Sequence, residues 1–159
     1  MRERRASQDA RRAQEFEAFV AGAAGRLLHA ATLLTTEPPD DNPRARKLLT
    51  GALARTYASW DRLRGEDPYD RARKELALPF ARAAWHRHRG HGGVLRHLGP
   101  QERLILVLRL YEGVGEEQVA ALLGLPVERV QAIHARAVAL VLHPPREPAP
   151  SRALEGAPS

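Results

Sequence analysis

Apolar side chains recur at three- and four-residue steps near the start of the chain, at Phe16, Phe19, Val20, Ala23, Leu27, Ala31 and Leu34. That period lays a single stripe along a helix and predicts a first helix over about 9–34. TTEPPDDNPR ends it, because adjacent prolines cannot continue a helix. Asn42 before Pro43 then reads as an N-cap with proline in the first turn. It opens a second helix over about 43–63, with Leu49, Leu53, Tyr57 and Trp60 on the buried face. RGED breaks that helix, and Asp67–Pro68 repeats the start signal. The third helix, over about 68–88, buries Leu76, Phe80 and Ala84, with Trp85 divided between core and surface and Pro79 inside as a kink or a split.

RGHGGVLRH, at 89–97, is glycine-rich and polar, a natural linker. Gly99 and Pro100 open a fourth helix, QERLILVLRLYEG, and two more follow at 116–123 and 127–142. HPPREPAPSRALEGAPS is rich in proline and small residues and reads as disordered. The pattern predicts an all-α fold of two small three-helix domains joined by a short linker, the C-terminal one a helix-turn-helix. Its parts are a flexible N-terminus (1–8), a helical domain (9–88), the linker (89–97), the helix-turn-helix domain (98–142) and a disordered tail (143–159).

Composition narrows the class. With 43% hydrophobic but only 5% aromatic residues among 159, the core rests on Leu, Val and Ala, which favours helices. The absence of cysteine excludes disulfides and thiolate metal sites. No apolar run approaches the roughly 20 residues a membrane span needs, and MRERRASQDARRAQEF lacks the apolar stretch of a secretory signal. The expectation is a cytoplasmic protein with no membrane partner.

The charge is unevenly placed. From Arg71 to His97 seven basic residues face one acid, Glu75, a surplus equal to the +6 of the whole chain. From Leu98 to Leu142 four arginines face five glutamates. A phosphate-binding surface would therefore lie at the end of the third helix and in the linker; the alternative is a solvated helix face. In the helix-turn-helix, Val119, Ala120 and Leu123 pack the first helix, Gly124 permits a left-handed turn, and Val130, Ile133 and Ala137 bury the second. Glu128, Arg129, Gln131 and Ala132 are left exposed, with His134, Ala135 and Arg136 further on. Arg can bind guanine bidentately, Gln adenine, and Glu the amino group of cytosine. The alternative is a trihelical module that packs or binds protein, since Pro126 offers the second helix no side-chain cap.

Other chemistry is thin. His86, His88, His91 and His97 sit at a helix end running into glycines, with no adjacent carboxylate to support a metal site. Glu116 and Glu117 suit a helix N-terminus for electrostatic reasons. No phosphate loop, nucleophile elbow or metalloprotease motif occurs, so no catalytic residue, cofactor or metal is assigned.

The order of two blocks carries an identification. FEAFV and LLHAATLLTTEPPDDNPRARKLLTGALARTYASWDRLRGEDP precede LGPQERLILVLRLYEGVGEEQVAALLGLPVERVQAIHARAVALV. Over about 16–142 this resembles the extracytoplasmic-function branch of the sigma-70 family, most of all its small actinobacterial members. The resemblance implies a transcription initiation factor whose partners are core RNA polymerase and promoter DNA, with an anti-sigma factor as a further candidate. It implies polymerase contacts at Arg46, Lys47, Leu49, Thr50 and Leu53. It implies −10 contacts at Arg71, Arg73, Arg82, Trp85, Arg87 and Arg89, and −35 contacts at Glu128, Arg129, Gln131, Ala132, His134 and Arg136.

The chain departs from the family pattern. Where the family carries an A-E-D-L-V-Q-like segment this chain has Ala45-Arg46-Lys47-Leu48-Leu49-Thr50, two acids replaced by two bases. Gln131 stands where a lysine is usual. The linker spans at most roughly 35 Å. These departures favour the alternative, a sigma-like DNA-binding regulator or interaction module that does not itself initiate.

Overall fold

The computed structural model describes residues 1–84 and 93–148, and every regular element among them is helical. Helix α1 (Arg2–Thr35) begins well before the apolar stripe does. RERRASQ contains neither glycine nor proline, so helix propensity carries the chain outward as an exposed extension. The expected flexible segment 1–8 is therefore helical from Arg2. One 18-residue window of α1 reaches a mean hydropathy of 1.3, enough in length and composition to cross a membrane. Its face of Leu27, Ala30, Ala31 and Leu34 is instead buried against other helices. The helix closes at Thr36, in the left-handed region at φ 59, whose amide donates to the Thr32 carbonyl at 3.0 Å.

Helix α2 (Pro43–Ala58) is shorter than its periodicity predicts, and a 3₁₀ turn (Trp60–Arg62) follows. Trp60 leaves the helix to pack its ring against Phe16 and Phe19, at centroid distances of 5.3 and 5.4 Å. Asn42 holds the N-cap position without capping: its side chain is buried and donates to Thr32 Oγ1 at 2.9 Å. Glu37 performs that task from the loop, accepting the Arg44 and Ala45 amides at 3.0 and 2.7 Å. Helix α3 (Pro68–Ala84) opens on the Asp67 carboxylate, which accepts the Tyr69 amide at 2.9 Å. It runs through Pro79 unsplit.

Helix α4 (Pro100–Leu106) continues into a π turn (Val107–Tyr111). Six consecutive residues, Arg103 to Leu108, are buried, so this segment is surrounded on all sides rather than along one stripe. Helices α5 (Glu116–Leu123) and α6 (Val127–Leu142) match their expected spans, joined through Gly124 at φ 66.

The two three-helix sets are visible in the element order, but one core runs across both. Leu34, Ala45, Leu76 and Phe80 belong to the same buried cluster as Ile105, Leu108, Val119 and Val130. Polar bonds reinforce it. Arg103 Nε donates to the Leu34 carbonyl at 3.0 Å, and the Tyr69 hydroxyl donates to Glu112 at 2.9 Å. The Glu112 side chain is 1% exposed and lies 3.7 Å from Arg26 and 3.8 Å from Arg73. Burial of the Tyr69 phenol, and after it the hydrogen bond to Glu112 and the Glu112 charge, push that phenol well above its ordinary range against the opposing pull of Arg26 and Arg73.

Candidate nucleic-acid interface

Helix α6 is seated by Val130 and Ala137, both fully buried, and by half-buried Ile133. Its opposite face presents Glu128, Arg129, Gln131, Ala132 and Arg136 to solvent. Pro126 at the N-cap makes no side-chain hydrogen bond. Glu128 in the first turn supplies the negative charge that such a helix start favours.

The exposed residues are not equivalent. Arg129 forms no ion pair among the described residues, so its guanidinium is ready for a phosphate or a guanine. Gln131 is held from below: its Nε2 donates to Glu116 Oε2 at 2.8 Å. Arg136, 75% exposed at its side chain, pairs with Glu102 at 3.3 Å. His134 is half-buried, its Nδ1 enclosed without a partner. Burial, then the nearby Arg109 charge, hold its pKa below the ordinary value despite the opposing pull of Glu116. It therefore meets a ligand as a neutral imidazole at neutral pH.

Sequence reasoning missed the polar support under α6. Arg109 donates to the Val114 carbonyl at 2.6 Å and lies 3.6 Å from Glu116, which in turn holds Gln131. The only signal was the Glu116–Glu117 pair, and its helix-start position gave no hint of a tie to α6.

The basic set on α3 is partly self-neutralised. Arg71 pairs with Glu75 at 3.1 Å and Glu66 at 3.6 Å. Arg73 pairs with Asp70 at 2.8 Å and turns toward Glu112. Arg82 is exposed with no ion pair among the described residues. Eleven residues make about three turns, so Arg71 and Arg82 share a face of α3 that Arg73 does not. Trp85, Arg87 and Arg89 lie outside the described residues, as do His86, His88 and His91 and the tail beyond 148. Phe80 belongs to the core.

On α2, Arg46, Lys47 and Thr50 are exposed. Leu49 and Leu53 are half-buried against the cluster of Ala23, Leu27 and Ala72. The helix therefore shows a cationic surface over an apolar seat, with Leu49 and Leu53 packed against the core on one side.

A family model described as Sigma-70, region 4 matches residues 94–141. The RNA polymerase sigma-E factor of Streptomyces coelicolor is 31% identical over 150 residues, covering 79% of this chain and 82% of the relative. The protein of the same name from Streptomyces avermitilis is 30% identical over 166 residues, covering 89% and 88%. No solved structure matches the chain significantly.

Proposed function

Since the chain belongs to the sigma-70 family of transcription initiation factors, in its extracytoplasmic-function branch, we propose that α6 reads promoter DNA while α2 docks on core RNA polymerase. The observation that carries this reading is the outer face of α6, where Arg129, in the first turn, has no ion pair among the described residues. Arg136, two turns on, shares the side of Arg129 and pairs with Glu102, while Gln131, held by Glu116, lies on the other flank of the exposed face. Glu128, Ala132 and His134 complete the −35-like face, Ala132 as a small surface suited to a thymine methyl.

The −10-like surface falls mainly to Arg82, with Trp85, Arg87 and Arg89 beyond it in sequence. Arg71 and Arg73 support it through their carboxylate partners. The protein positions and melts DNA for another enzyme and is not itself a catalyst. It works where its polymerase works, in the cytoplasm. An anti-sigma factor is the further partner of this reading, competing with polymerase for α2.

A second reading, a regulator that no longer initiates, is favoured by the exposed Arg46 and Lys47 and by the core that binds both helix sets together. Like charges at an interface cost several kcal/mol. The discriminating experiment is a pull-down of core polymerase by the wild-type protein and by the double variant Arg46→Glu, Lys47→Asp. Capture by the wild type supports initiation. Capture by the double variant alone favours the regulator.

A further inference from the structure

A groove of about 740 Å³ opens between α2, α3 and the start of α4, with Leu48, Phe80 and Ala83 among its apolar walls. Among the described residues, every ionisable side chain lining it is cationic: Arg44, Lys47, Arg55 and Arg103. Two of these already have carboxylates, Arg44 at 3.9 Å from Glu37 and Arg55 at 3.0 Å from Glu75. The other two do not. Lys47 stands exposed at the rim, without an ion pair among the described residues.

Arg103 is 2% exposed. Its Nε and Nη1 donate to the carbonyls of Leu34 and Leu98 at 3.0 and 2.8 Å, and no carboxylate among the described residues pairs with it. Burial, with the Arg44 charge nearby, holds its pKa below the ordinary value. A buried cation beside another cation is costly, and an anion close to it relieves that cost.

We propose that this groove docks an acidic amphipathic helix from a protein partner, its apolar side chains on Leu48, Phe80 and Ala83 and its carboxylates toward Lys47, Arg44 and Arg103. A groove that receives an amphipathic helix needs apolar walls and a charged rim, and both are present. A nucleic-acid backbone would satisfy the cations but leave the walls without a partner. The assignment extends the reading above, because Lys47 belongs both to the proposed polymerase-facing surface and to this groove. It also gives the base at Lys47 a physical purpose, since it suits a partner opposite in charge to the one the family pattern implies.

The test uses the full chain and a fluorescent synthetic helix of leucine, alanine and glutamate, read by anisotropy. Its counterpart carries lysine for every glutamate. The glutamate peptide should bind at least about tenfold more tightly than the lysine peptide, a difference of about 1.4 kcal/mol, and should weaken with added salt. Lys47→Glu at the rim and Ala83→Glu on the wall should each weaken binding severalfold. Arg64→Glu, in the loop before α3, should leave it unchanged. Arg103 is left intact because it also holds the core. Equal affinity for the two peptides, or indifference to both Lys47→Glu and Ala83→Glu, overturns the proposal. So does full displacement of the peptide by a DNA duplex that itself loses affinity in Lys47→Glu, which would give the groove to nucleic acid. Peptide binding that survives while polymerase capture fails refutes only the reading of the previous subsection.

Discussion

Arg55 donates through Nη2 to the main-chain carbonyl of Glu75 at 2.8 Å, and that carbonyl is the one Pro79 leaves without a helical donor. A proline at position i cannot donate to the carbonyl at i−4. The orphaned oxygen on α3 is thus satisfied from α2, while Arg55 Nε holds the Glu75 carboxylate at 3.0 Å. Gly51 keeps the space open, since a Cβ there would come within 3.2 Å of the guanidinium. Arg55→Ala should cost about 1–2 kcal/mol in urea unfolding. In a Pro79→Ala background, where residue 79 can donate again, the same substitution should cost clearly less. Equal losses in the two backgrounds would detach Arg55 from the proline.

Glu112 ties the two helix sets together. Tyr69→Phe removes its shortest bond and should destabilise by roughly 1.5–3 kcal/mol, the range for a hydrogen bond to a charged group. Glu112→Ala should cost at least as much, because the Tyr69 hydroxyl loses its acceptor and Arg26 and Arg73 lose a shared counter-charge together. Because one core spans both sets, thermal unfolding followed at Trp60 and at a label on α6 should give one coincident transition. Two separated transitions would mean that the shared core does not hold in solution.

Glu37 makes α2 sensitive to acid. Its side chain is 9% exposed. Burial pushes its carboxyl up, but the Arg44 and Ala45 amides, the Thr35 hydroxyl and the Arg44 charge outweigh that and hold its pKa below the ordinary 4.5. A depressed carboxyl contributes stability in full above its unfolded value and loses it as pH falls through the folded one. Glu37→Gln should therefore lower stability by about 1 kcal/mol at neutral pH. The gap to wild type should close as pH drops below 4.5. A gap independent of pH would mean that the charge of Glu37 is not what holds the α2 amides.

On α6, Arg129→Ala should weaken binding to a cognate duplex by about 1–3 kcal/mol. Gln131→Ala should matter less, because its amide is engaged by Glu116 in the free protein. Glu116→Ala frees Gln131 and should alter base preference at one position rather than affinity overall. Gel-shift titrations against a panel of single-base variants distinguish these outcomes. An Arg129→Ala protein with undiminished affinity would move the reading head elsewhere.

Much of this was legible in the sequence. The bounds of α5 and α6 are legible because Gly124 and Pro126 separate them and Val119, Val130 and Ala137 set the period. Asp67 declared the start of α3. The end of α2 was not legible, because Trp60 keeps the helical period while its ring is drawn to Phe16 and Phe19 in a different turn. Nor was the Glu37 cap, since Asn42 occupies the position where a cap is normally read.

The larger omission was the shared core. A run such as LILVL shows that α4 is apolar all round, but periodicity cannot say which helices cover it. The cover is supplied by Leu34 and Phe80, far off in sequence. At the interface, the sequence showed which α6 residues face outward but not which are already partnered. Arg129 and Gln131 both fall outside the apolar stripe, and only the fold shows that Glu116 engages one of them.

The most direct test is reconstituted transcription: core polymerase from the source organism, a library of promoter fragments, and the purified protein as the only added factor. The account predicts transcripts with discrete start sites from a subset of fragments, reduced about tenfold or more by Arg129→Ala. Start sites that do not depend on the protein, or that persist unchanged with the Arg129→Ala variant, would contradict it.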